Sequence, residues 1–493
     1  MQKKKILIQT DFSLSKTGFA RSIRAILTHL YELDKYELVH YCCGLNYSNP
    51  VLQKTPWKSI GCLPDSQQEI EAINKDPNLA RNAGYGAYLL DKVIEQEKPD
   101  IYIAIQDFWG VDFAIDKKWW NKIPCAIWTT LDSLPLLPSA VEKAPKIENY
   151  WIWSSFATKE FHRLGHKHVK TLHGALDTKY FHRLPQYKRN QLKQDAGLDL
   201  DTFIVGFVFR NQLRKSAPNL LEGFSLFKKE NIGVKAKLLL HTSYKEGWNI
   251  NRLADQYGVD KADILTTYIC QACNRYEIKS HCGEEIPCKF CGQQKSMITT
   301  GVGKGVTETQ LNEVYNLMEV YCHPFTSGGQ EIPVQEAKLT ELVTLVTNYS
   351  CGEEICEDGA GSLPLEWSQY TEHGTEFIKA STYPSSICKQ LTKVYKMPVS
   401  KRLEMGRQAR QWTINGYSSE VICKRLMEFI DGAPETKYDF KPEEDLKKPN
   451  AQIPSIENEK EWLKYMYKNI LNMDVSDQDS GLGFWQGELD KVN

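Results

Sequence analysis

Apolar residues in this chain fall in short continuous runs separated by stretches of helical spacing. The runs lie at residues 5–9, 36–42, 101–105, 125–130 and 150–153, and again at 203–209, 235–241, 320–325 and 342–347. A strand buried on both faces produces such a run, whereas a strand with one wet face alternates. Between the runs, Ile23, Ile26, Leu27 and Leu30 share one helical face, as do Leu220, Leu221, Phe224 and Leu226 within 218–230. Strands alternating with helices predict parallel sheets, whose ligands sit at the carboxyl ends of the strands. Helices are also predicted at 384–396, 398–412 and 418–430. With 493 residues there is room for two large domains and a small addition.

The pattern divides at residues 1–199 and 200–431, each with its own set of apolar runs. Residues 432–456 are charged and proline-bearing, a linker by composition, and 457–493 regain helical character.

Composition narrows the function. Lys and Arg number 61 against 62 Asp and Glu, so no overall basic field draws the chain to nucleic acid. No apolar run reaches the length of a membrane span, and the first residues enter a strand directly instead of a signal peptide. A cytoplasmic location is expected. Of 14 cysteines, five crowd between Cys270 and Cys291. Cys270 and Cys273 form one CxxC knuckle and Cys288 and Cys291 another, with 14 residues between them. Two such knuckles supply four thiolates for a tetrahedral zinc ion, a closed structural site with no open position for chemistry. The zinc ribbon is expected at 268–299 as an insertion in the second domain. Arg275, Lys279, Lys289 and Lys295 make it basic in places, diluted by Glu277, Glu284 and Glu285, so a nucleic-acid contact is one option for it.

Two stretches carry candidate chemistry. After the run at 320–325, the chain breaks at Gly328 and Gly329, then takes up helical spacing through Val334, Ala337 and Leu339. Glycines admit a close backbone approach, and the free N–H groups of a helix start favour a phosphate. Glu336, one turn into the helix, is placed to accept from sugar hydroxyls. After the run at 203–209, Arg210 and Lys215 stand five apart ahead of a helix, a spacing suited to clamping a diphosphate.

These residues resemble the signature of retaining glycosyltransferases of family 4. Ser327, Pro333, Val334, Glu336 and Ala337 fall in register with its Glu-x7-Glu segment, and Arg210 and Lys215 with its GRxxxxKG segment, Phe209 replacing the glycine. Gly328 occupies the position of the first Glu, so the family's contact to the donor sugar would have to come from Glu331 or Gln330. The likeness extends to Gly18, Lys16 and Arg21 in the loop after the first strand, and to Asp132, where the family's preceding His is Leu131. Asp107 is a second candidate carboxylate on that side. Residues 151–181, with His173 to Asp177 in place of NGVD, and residues 351–361, with Glu354 and Gly361, match in the same order. Residues 457–493 resemble a small helical domain through Tyr467, Asn469, Leu471, Gly481 and Trp485, and Asp474, Asp477 and Asp479 form an acidic turn there.

The resemblance implies an α/β protein of the GT-B fold, two Rossmann-like domains facing a cleft, with the last helix crossing back to the first. It implies a retaining enzyme that moves a sugar from a nucleotide-diphosphate sugar to an acceptor hydroxyl, on a glycan, a small molecule or a modified nucleic-acid base. Arg210, Lys215, Asp132 and Asp107 would be catalytic. Gly18, Arg210, Lys215, Gly328, Gly329, Gln330, Glu331, Ile332 and Glu336 would hold the donor. The competing expectation is a catalytically inactive GT-B protein that binds glycan or nucleic acid.

Overall fold

The computed structural model describes residues 3–301, 303–442, 459–471, 475–476 and 480–489. The acidic turn and most of the linker named above lie outside the described residues.

The first sheet has seven parallel strands in the order β3-β2-β1-β4-β5-β6-β7. They are β1 (Lys5–Asp11), β2 (Glu37–Asn46), β3 (Lys58–Leu63), β4 (Ile101–Ile105), β5 (Cys125–Thr129), β6 (Asn149–Ile152) and β7 (Lys170–Thr171). Every residue of β4 and β5 is buried, which is why they appear in the sequence as unbroken apolar runs. Helix α1 (Gly18–Glu32) starts at the carboxyl end of β1, where the Thr17 side chain caps it by accepting from the Ala20 N–H.

The second sheet has eight strands, with β11-β10-β9-β8-β13-β14-β15 in line and β12 also paired to β10. These are β8 (Phe203–Val208), β9 (Ala236–His241), β10 (Ile264–Cys270), β11 (Tyr276–Ser280), β12 (Met297–Thr299), β13 (Val320–His323), β14 (Val343–Thr347) and β15 (Ser362–Leu365). All pairings are parallel except those of β11 and β12 with β10. The cysteine insertion is therefore continuous with the edge of the second sheet. A hairpin of β16 (Trp367–Thr371) and β17 (Ile378–Thr382) stands apart from it.

Four helices position the functional residues: α2 (Ala217–Glu230) after β8, α3 (Glu308–Asn316) before β13, α4 (Ile332–Leu339) between β13 and β14, and, after α5 (Pro384–Lys396) and α6 (Val399–Tyr417), α7 (Ser419–Gly432). Helix α7 returns to the first domain, where Lys4 Nζ donates to the Ile430 carbonyl at 2.9 Å and Phe429 meets Trp151 edge to face. One apolar core runs from Ile6 and Ile23 through Leu176, Phe181 and Leu426 to Leu220 and Val320, so the two sheets share buried contacts. Residues 441–493 form a separate unit, in which α8 (Glu459–Leu471) and α9 (Ser480–Leu489) are described.

Candidate functional site

The carboxyl ends of β8 and β9 open on a cavity of about 430 Å³, within the usual range of small-molecule sites. Arg210 and Asn211 follow β8 into it, and His241 ends β9 there, followed by Thr242 and Ser243. The first domain contributes Lys16, Arg21 and Arg24. Gly301, Gly305 and the first turn of α3 close the far wall. Four cations thus face one space, against the carboxylates of Glu246 and Glu308. All four are held by chain groups: Lys16 donates to the Gly305 carbonyl at 3.2 Å, Arg21 pairs with Glu336, Arg24 pairs with Glu308, and Arg210 meets Glu246 at 3.2 Å. The Arg210 side chain is 56% exposed, so it can turn to a ligand without unmaking any packed structure.

Arg21 makes a largely buried link between the domains. Its guanidinium pairs with Glu336, whose other oxygen accepts from the Tyr315 hydroxyl at 2.9 Å. Glu336 is 1% exposed, and burial raises its carboxyl pKa against the opposing pull of Arg21. Arg21 also lies over the Phe181 ring at 5.7 Å. Gly18, at the start of α1, faces Ile332, whose Cδ1 would be 3.5 Å from a Cβ there.

A second cluster sits at the glycine turn. Glu331, 5% exposed, takes bonds from Lys215 Nζ, from Arg214 at 2.9 Å and from His323 Nε2 at 2.8 Å. Burial brings His323 down to about 4, so the ring is neutral near pH 7 and its Nε2–H donates. Burial, followed by the neighbouring Arg214 charge, lowers Lys215 to about 8, although Glu331 opposes the shift. Glu331 itself is held well below the carboxylate range by Lys215 and Arg214, which outweigh its burial. A Cβ built on Gly328 would lie 2.3 Å from Glu331 Oε1. The carboxylate of Glu331 therefore fills the space in which a side chain at position 328 would begin.

The same turn is seated on the first domain. Gln330 donates to the Gly174 carbonyl at 2.9 Å and accepts from the Gly174 N–H at 2.6 Å. Gly329 approaches Thr130 so closely that a Cβ would lie 2.5 Å from the threonine Cβ. Thr130 in turn donates to Asp107 at 2.8 Å, and burial raises the Asp107 pKa, aided by nearby Asp132. Asp132 accepts from Ser133 at 2.7 Å and from Ser327 at 3.1 Å. Lys379 of β17 donates to both of those serines, at 2.6 and 2.8 Å.

The sequence places Arg210 and Lys215 together as one clamp, and the structure separates them. Lys215 ends a short turn, Leu213–Lys215, that points its ammonium inward to Glu331, while Arg210 stays at the cavity mouth on Glu246. Arg214, which no spacing rule singled out, stands beside Lys215 instead. Lys379 was also missed, because it arrives from a hairpin some fifty residues further along with no local motif. Glu354 accepts from the Ser155 N–H at 2.9 Å and lies 3.5 Å from His173, whose ring packs on Tyr417.

The four knuckle cysteines gather at the end of β10 and around β12. Their sulfurs lie within 4.8 Å of one another, with Cys270 to Cys291 and Cys273 to Cys288 both 3.8 Å. A tetrahedral ion with sulfur at about 2.3 Å gives sulfur–sulfur edges of about 3.8 Å. The N–H groups of Cys273 and Phe290 point at Cys270 and Cys288 sulfurs at 3.4 Å, an arrangement that favours thiolates. The donor set therefore fits a tetrathiolate metal. Among the described residues no helix is long and apolar enough to cross a membrane.

No protein-family model and no curated protein matches this chain. Solved structures do. A glycosyltransferase from Rickettsia africae superposes with a TM-score of 0.60 at 13% identity, over 87% of this chain and 99% of that one. Sucrose-phosphate synthase from Thermosynechococcus elongatus gives 0.60 at 10% identity, over 87% and 98%. Anabaena HepE in complex with UDP gives 0.57 at 12%, over 87% and 100%. The chain has the GT-B fold, two Rossmann-like domains facing a cleft. At such identities the likeness establishes the architecture alone.

Proposed function

We propose that the protein is a retaining glycosyltransferase of the family 4 type, which takes a sugar from a nucleotide-diphosphate sugar and passes it to an acceptor hydroxyl. The observation that carries this reading is the cationic cavity at the carboxyl ends of the second sheet, faced across the cleft by Lys16, Arg21 and Arg24. HepE was solved with UDP, with UDP and glucose, and with UDP-glucose, which agrees with a nucleotide ligand for this architecture.

In this reading Arg210 leaves Glu246 to meet the diphosphate, with the Gly328 turn and Arg214 on the other side of the leaving group. Fixed charges aimed at phosphate oxygens act mainly on the transition state, where negative charge on the leaving group grows. Glu331 takes over the sugar contact that the family assigns to the position of Gly328, and Glu336 receives the ribose beside Arg21. Gln330, Gly329, Gly18 and Ile332 hold the two domains closed around the donor, which keeps water from it. Asp107 and Asp132 line the acceptor side. The knuckle cysteines hold a zinc ion that shapes the fold and does no chemistry, and the 14 unbridged thiols suit a reducing, cytoplasmic setting. The acceptor is a glycan, a small molecule or a modified nucleic-acid base.

A second reading, a catalytically inactive GT-B module that binds glycan or nucleic acid, draws on one observation. Glu331 and Glu336 are already engaged by the chain's own cations. Incubation with UDP-, GDP- and ADP-sugars separates the two. Release of nucleoside diphosphate, lost on Arg210→Ala, supports the transferase; binding without release supports the module.

The reaction should also weaken on the alkaline side. Lys215 loses its proton as pH rises through about 8, and Glu331 and the phosphates then face one cation fewer. The donor KM is expected to rise several-fold between about pH 7.5 and 9.5, and Lys215→Arg should remove that limb. Between about 8 and the ordinary lysine value of 10.5 the unfolded chain binds a proton that the folded chain has lost. This group's contribution to stability therefore grows with pH over the window in which the donor is held less well.

A further inference from the structure

The cysteine ribbon is bonded to both walls of the nucleotide cavity. On one side, Asn274 directly follows Cys273 and has a left-handed backbone, with φ of 56°. Its side-chain oxygen accepts from Lys304 at 2.5 Å and its carbonyl from Gln310 at 3.0 Å. Two residues further, the Tyr276 hydroxyl donates to Glu313 at 2.7 Å. Lys304 lies between Gly301 and Gly305, and Gln310 and Glu313 belong to α3, whose first turn lines the cavity. On the other side, the His281 ring stacks on Tyr244 with centroids 4.2 Å apart, and Lys245 pairs with Glu285 at 3.1 Å. Tyr244 and Lys245 sit between Ser243 and Glu246, both of which line the cavity.

The ribbon is a poor scaffold without a metal. Its apolar core consists of Tyr268, Cys270, Cys288 and Met297, two of which are themselves knuckle cysteines. Small hairpins of this kind take their folding energy from the metal–thiolate bonds. Without an ion, the knuckle turns keep only the pairing of β11 and β12 with β10 and a few hydrogen bonds to hold Asn274 against Lys304 and His281 against Tyr244.

We infer that the tetrathiolate metal is a positioning device for the nucleotide site: a zinc ion on Cys270, Cys273, Cys288 and Cys291 fixes the ribbon, and the ribbon fixes the segments at 242–246 and 303–311 that hold the nucleoside half of the donor. This inference rests on the transferase reading for the identity of the ligand, though not for the coupling between ribbon and loops. The zinc takes no part in the reaction. Its removal lowers nucleotide affinity through the walls of the cavity while the parallel strands of both sheets stay folded.

The test uses the full chain with zinc bound and after chelation, with UDP, GDP and ADP as titrants and hydrogen exchange of residues 303–313 as a readout independent of nucleotide. Chelation is expected to lower affinity for the bound nucleotide at least ten-fold and to speed exchange in that segment, and added zinc should reverse both. The double variant Asn274→Gly and Tyr276→Phe keeps the cysteines and the cavity residues intact. It is expected to retain one zinc per chain, bind nucleotide about three-fold less tightly and exchange faster at 303–313. If chelation unfolds the whole chain, that variant decides. Unchanged exchange and affinity in a folded, zinc-free chain, or in the zinc-loaded double variant, would overturn the inference. Faster exchange with no nucleotide bound in any state would keep the coupling and remove the transferase reading instead.

Discussion

Replacing Glu331 by Ala is expected to reduce sugar transfer at least a hundred-fold, the loss seen when one charge-stabilising group is taken from an active site, and to cost about 3–5 kcal/mol of folding stability. Both effects have one cause. Lys215 is almost wholly enclosed, and its ammonium has Glu331 as its partner beside the like charge of Arg214. Without the carboxylate, two cations and a neutral imidazole are left packed together with no anion between them. Chemical denaturation gives the stability and donor turnover gives the rate. Gly328→Ala alone should also destabilise, because the new Cβ meets the Glu331 carboxylate. The pair Gly328→Glu with Glu331→Ala moves the carboxylate to the position it has in family 4 and should regain part of the lost turnover. If the swap is no better than Glu331→Ala, position 331 does not stand in for position 328.

Arg21→Ala is expected to cost about 3 kcal/mol, near the lower end for a broken buried pair because the arginine is partly exposed while Glu336 is not. Glu336 then keeps the Tyr315 hydroxyl but loses its cation. Adding Glu336→Gln should restore most of the stability, since an amide needs no counter-charge, so the two changes will be strongly non-additive. If Glu336 receives the ribose as proposed, activity is not expected to return with it, because an amide holds ribose hydroxyls less well and the domains lack their charged link. Additive losses of stability would show that the pair contributes little to closure.

Much of the architecture was legible because the sheets are covered on both faces. Runs such as those of β4, β5 and β8 have every residue buried and leave no alternation to confuse strand with helix. The cysteine knuckles were legible because their thiols come from two local turns, and the GT-B class because several motifs recur in order. The site was legible in part. Spacing alone placed Arg210 and Lys215 on one loop, but a single short turn between them sends one ammonium inward and leaves the other cation at the surface. Arg214 sits one residue from a motif position, where sequence offers no means of choosing between neighbours. Glu331 was one of two candidates for the missing carboxylate, and only the backbone at Gly328 shows which side chain takes its space. Gln330, the other candidate, is committed to Gly174 across the cleft. Lys379 needed the tertiary fold, since nothing near it in the chain marks it as a neighbour of Asp132.

Calorimetric titration of the full chain with UDP, GDP and ADP, repeated on Arg210→Ala, tests the nucleotide cleft most directly. One of the three is expected to bind with a dissociation constant in the range of about 1 µM to 1 mM, and Arg210→Ala should weaken it at least ten-fold. No binding of any of them by a folded, zinc-loaded chain, or equal binding by the variant, would contradict a diphosphate site between these two domains.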